Sequence, residues 1–132
     1  MNRTALQATA VVALNLAVAT AHGLSHSHAQ VPLEPWQTAF VAVTVYALPV
    51  LAAILYWTPL RRAGAVLLAA TMLASMLFGL YFHFVADTPD HVSHRDSGGA
   101  GMLFTVTAVL LVPAEALGAW FVAWTFRREA PT

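Results

Sequence analysis

Apolar residues run through the chain in four long blocks, at about residues 4–24, 36–57, 63–86 and 101–126, separated by short polar segments. An α-helix needs about 20 mostly apolar residues to cross the hydrocarbon core of a bilayer, and each block has that length. The links at 25–35, 58–62 and 87–100 are too short to hold a domain, so residues 1–132 read as a single membrane domain. A polar backbone can cross lipid only when its hydrogen bonds close within the segment. The expected fold class is therefore all-α, an integral membrane bundle of four antiparallel transmembrane helices.

Composition narrows the classes further. Apolar residues make up 59% of the chain and charged residues 9%, against about 25% charged in average usage. Too few charges remain to cover a water-soluble surface, and a disordered chain would need the opposite balance. No basic patch is present for nucleic acid. The absence of Cys excludes disulfides, thiolate metal sites and Cys nucleophiles. All six basic residues are Arg, which together with the Ala, Val and Leu richness suggests a GC-rich prokaryotic genome.

The formal charge is zero, but the charges are sorted along the chain. Arg3, Arg61, Arg62, Arg127 and Arg128 fall on one side if all four blocks cross. Glu34, Asp87, Asp90 and Asp96 fall on the other, opposed by Arg95 alone. Cytoplasmic loops carry the excess of Arg and Lys. The expected placement is thus a prokaryotic cell membrane, both termini cytoplasmic, with loops 25–35 and 87–100 outside and 58–62 inside. The first block also reads as a signal peptide, with Arg3, an apolar run, and Ala19-Thr20-Ala21 as a cleavage site. Cleavage of residues 1–21 would leave three spans and an N-terminal His22, whose amine and imidazole together suit copper.

All six histidines, His22, His26, His28, His83, His91 and His94, belong to the outer side. Imidazole is the commonest protein ligand for transition metals. His22 and His26 are four apart and share a helix face, and His83 and Asp87 have the same spacing. His22 and His83 both lie within a turn of an outer span end. If spans one and three are neighbours, His22, His26, His83 and Asp87 converge into a zinc or copper set. His28, Asp90, His91 and His94 then form a capture site above it, with Thr88 capping a short surface helix that starts at Pro89. Alternatively, His22 and His83 ligate a haem from its two faces, or the histidines are simply polar surface.

Glu115 is the only charged residue inside a span, near its middle. A charge at that depth costs at least about 2.5 kcal/mol. Asn15 and Ser75 lie at a similar level. Glu115, Asn15 and Ser75 could relay a proton or metal ion inward, with Thr71, Gly79 and His83 on the same side of span three. Helix packing explains small and hydroxyl residues equally well, and Glu115 bonded to Asn15 or Tyr46 would be structural.

Met72 and Met76 form a Met-x-x-x-Met in span three, and Ala114 and Gly118 a small-residue pair in span four. With span one removed, this layout resembles the trimeric high-affinity copper uptake family in outline. That family carries outer Met clusters and a longer inner loop, which this chain lacks. No nucleophile with its base, phosphate loop or dinucleotide fingerprint is present, so a stand-alone enzyme is not expected. The favoured expectation is a membrane protein that binds or transports copper or zinc. The alternatives are an accessory subunit of a larger membrane complex and a haem-carrying redox protein. Expected partners are the lipid bilayer and either further copies of the chain or a larger complex.

Overall fold

A computed structural model describes residues 2–129, and these form four long helices with no strand among them. Helix α1 spans Arg3–His28. The Asn2 side chain caps its start by accepting from the Ala5 amide at 3.1 Å, and also donates to the Tyr56 carbonyl at 3.3 Å. Helix α2 spans Pro35–Tyr56, α3 Arg61–Phe84 and α4 Gly99–Glu129. At the start of α2, Gln37 accepts from the Glu34 amide at 2.7 Å and Pro35 occupies the first turn, where a missing N–H costs nothing. All four helices are long and apolar enough to cross a membrane.

The middle of α2, Val41–Ala47, is a π-helix, and the Leu48 amide reaches back five residues to Val43. Pro49 supplies the reason. It brings no N–H, and its ring would crowd the Val45 carbonyl in a regular α-helix. The wider turn absorbs both problems and swings Val45 and Tyr46 toward the bundle interior.

The helices pack in a ring, α1 against α4, α4 against α3, α3 against α2 and α2 against α1. Helices α1 and α3 therefore face each other across the diagonal. Spans one and three are not ring neighbours, as the convergence of their histidines might suggest; side chains reach each other through the bundle centre instead. Asn2, Tyr56, Arg61, Arg62 and Thr125 gather at one end of the bundle, and the two longer loops lie at the other.

Polarity is arranged inside out. Leu14, Val50, Ile54, Val66, Leu77, Val109 and Leu110 are exposed, whereas Asn15, Ser25, Thr71, Ser75, Thr107 and Glu115 are buried. An apolar exterior over four helices is the arrangement compatible with a membrane bundle. The half of the bundle away from the long loops is filled by small and apolar groups, Ala5, Ala8, Val12, Ala52, Ala65, Leu68, Met72, Phe121 and Val122. Met72 lies against Gly118, so it serves there as packing.

Candidate metal centre

Helix α1 continues through His28, which places His22 and His26 one turn apart on a buried face. It ends in a Schellman motif. Gln30 takes a left-handed conformation (φ 53°), and the Val31 amide returns to the His26 carbonyl at 2.9 Å. That turn presents the Val31 carbonyl to His26 Nδ1 at 3.3 Å. His83, on the last turn of α3, enters from across the diagonal.

All three rings turn Nε2 toward the centre of the cluster. His22 Nε2 lies 3.1 Å from His83 Nε2 and 3.2 Å from His26 Nε2. Each Nδ1 points outward to an oxygen: His22 to Thr107 Oγ1 (3.0 Å), His26 to the Val31 carbonyl and His83 to the Asp90 carbonyl (3.1 Å). Phe104, fully buried, packs against all three rings at 4.9–5.5 Å between centroids.

These partners assign the tautomers. Carbonyls only accept, so His26 and His83 carry hydrogen on Nδ1. Thr107 donates its hydroxyl hydrogen to the Leu103 carbonyl at 2.8 Å, which leaves its oxygen to accept from His22. A neutral imidazole has a single N–H, and here each ring uses it on Nδ1. With this tautomer set three Nε2 lone pairs converge, and a proton or a metal cation between them relieves their mutual repulsion. In a tetrahedral site with metal–nitrogen bonds of about 2.0–2.1 Å, ligand nitrogens lie roughly 3.3 Å apart. The separations of 3.1 and 3.2 Å from His22 are close to that value, and the three ligand nitrogens all lie within 4.8 Å of one another. His22, His26 and His83 could thus hold a metal ion, with ring orientation fixed by the oxygens on Nδ1. Thr107→Val keeps the shape but removes the acceptor on His22. Metal affinity should fall about 10- to 100-fold, as competition with a chelator would measure.

Asp87 takes no part in this cluster. Helix α3 stops at Phe84, so the four-residue spacing from His83 no longer places Asp87 on the same face. Its side chain is 92% exposed and lies 3.0 Å from His94 Nε2. His28, His91 and His94 also stay outside, in or beside the loops. The segment after α3 forms a 3₁₀ turn at Val92–His94, in which His91 Nδ1 accepts from the Ser93 amide. Thr88 caps no helix there, and its buried hydroxyl has no hydrogen-bond partner among the described residues. Asp90 rather than Asp87 is the acidic residue beside the cluster, and it supports the rings from outside. Its carbonyl holds His83, and its carboxylate lies 3.6 Å from His26 Nδ1, on the ring edge facing away from the other histidines. Burial pushes this carboxyl above the usual carboxylate range, against the opposing pull of His83 and Arg95.

A haem between His22 and His83 has no slot. Their Nε2 atoms are 3.1 Å apart, the rings meet edge to face at 76°, and His26 stands beside them.

A cavity of ≈ 70 Å³ extends from the three histidines along Ala19, Val45, Phe78, Gly79 and Leu111 to Ser75 and Glu115. Tyr46 Oη donates to Thr20 at 3.4 Å, and the Asn15 amide finds no partner among the described residues. Neither of them therefore satisfies Glu115. No family model, curated protein or solved structure matches the chain.

Proposed function

We propose that this chain is a membrane protein that binds a transition metal ion, zinc or copper in type, through His22, His26 and His83. One observation carries the reading: three Nε2 atoms converge while every Nδ1 is occupied by an oxygen acceptor. Imidazole nitrogens suit both metals. Three protein ligands also leave a fourth position open, the pattern of sites that exchange a ligand rather than of closed structural sites. We place the Arg61, Arg62 and Arg127 end in the cytoplasm, because basic residues are retained there; the metal then sits near the opposite face. We also take residues 1–21 as retained, since α1 supplies Ala5, Ala8 and Val12 to the core beneath the site.

Native mass spectrometry of protein extracted in mild detergent and loaded with Zn²⁺ tests both statements. The expected mass is that of a chain retaining residues 1–21 with a tightly held zinc ion that is lost in His83→Ala. A wild-type protein with no zinc above the level of His83→Ala would overturn the metal site. A mass starting at His22 would overturn the retained helix.

A further inference from the structure

Glu115 is 3% exposed and Asn15 1% exposed in the interior of the bundle. The Glu115 carboxyl makes no hydrogen bond or ion pair with a described residue and borders the cavity. Both polar atoms of the Asn15 amide are likewise unpartnered. Ser75 differs from its hydroxyl neighbours. Thr71, Thr107 and Thr125 each donate back to their own helix, whereas Ser75 makes no hydrogen bond to a described residue and borders the cavity instead. Asn15 lies seven residues before His22, Ser75 eight before His83, and Glu115 eight after Thr107. At about 1.5 Å per residue, all three sit roughly 10–12 Å deeper than the histidines. Three helices therefore bring unpaired oxygen donors to one level, and the cavity joins that level to the tri-histidine site.

We propose that Glu115 and Ser75, with the Asn15 amide at their level, form a second and deeper station for a divalent cation. The ion reaches it from the histidines through the shared cavity. This rests on the metal-binding reading of the upper site. A bare carboxylate is expensive at this depth, and a bound cation offsets the cost. A site needs about 10–15 Å³ of such space per water, so ≈ 70 Å³ admits an ion with part of its hydration. The donors are all oxygen, so zinc fits both stations, whereas soft Cu(I) is held at the upper one alone. Below this level Leu68, Met72, Phe121 and Val122 close the core, and the ion stops there in this conformation.

The test is equilibrium dialysis of the full chain in detergent against Zn²⁺ alone, with metal counted per chain. Wild type should hold a tight and a weaker ion. Glu115→Gln should hold only the tight one, with its affinity unchanged, and His83→Ala only the weaker one. Saturation of wild type at one ion, or two ions retained by Glu115→Gln, would overturn the second station. If His83→Ala keeps the tight ion while Glu115→Gln loses the weaker one, the upper site falls and the lower one stands. Should Glu115→Gln hold neither ion, Ser75→Ala decides. At least a tenfold weakening of the second ion alone supports the station, and no change in either ion overturns it.

Discussion

His22→Ala should lower zinc affinity about 10²- to 10³-fold while leaving the helix content unchanged. Structural zinc sites are worth about 10–16 kcal/mol over four ligands, so one ligand contributes roughly 2.5–4 kcal/mol, and each 1.4 kcal/mol is about tenfold in affinity. His22 stands between the other two rings, 3.1 Å from His83 and 3.2 Å from His26. Its loss leaves two nitrogens approaching from opposite corners of the bundle. Truncation also leaves the Thr107 oxygen without the N–H it accepts, so the site loses a ligand and a strut together. His94→Ala is the matched control. That ring faces Asp87 and Thr88 outside the cluster, and its removal should not change affinity. A dissociation constant for His22→Ala within threefold of wild type, read by chelator competition, would rule out the tri-histidine site.

The second large effect lies at the opposite end. Gly64→Ala should destabilise the bundle by about 1–3 kcal/mol, the range for overpacking, even though alanine is the better helix former. A Cβ there would sit 2.9 Å from the Ala52 carbonyl oxygen, 2.9 Å from Leu55 Cβ and 3.3 Å from the Tyr56 amide nitrogen. Two of those atoms are backbone and cannot rotate away, so α2 and α3 must separate along their contact. Small residues at such contacts are what lets helices approach in lipid. Gly118→Ala provides the contrast. Its Cβ would meet Met72 Cγ at 2.7 Å and Sδ at 2.8 Å, and the flexible thioether can move aside. The expected order of unfolding midpoints in detergent is wild type, then Gly118→Ala, then Gly64→Ala well below. Equal midpoints for the two variants would show that the α2–α3 contact is looser than the distances imply.

Much of this was legible in the residue order. Four apolar blocks with short links mark four helices, because lipid leaves a polar backbone few alternatives. His22 and His26 were readable as one helical turn, and His83 as a residue of similar depth. The errors came where local periodicity stopped governing. Asp87 keeps the spacing of a helix that has already ended at Phe84. The role of Asp90 passes through its carbonyl, a group every residue owns. Thr107 is one of several hydroxyls in the last span, and only the tertiary arrangement singles it out. The π-helical stretch was hidden for a related reason: Pro49 announces a disturbance without saying which compromise the helix adopts.

The ring order of the helices would give a bound metal a mechanical meaning. A four-membered frame joined mainly along its sides deforms by shear, since each corner can pivot while the sides keep their length. An ion held by His22 and His26 on one corner and His83 on the opposite one acts as a cross-brace on that frame. Anything that binds only the folded state adds stability by mass action, about 2.7 kcal/mol at a hundred times the dissociation constant. Here that stability would be gained as rigidity at one end of the bundle, leaving the end around Gly64 dependent on close packing and on bonds such as that from Asn2 to the Tyr56 carbonyl.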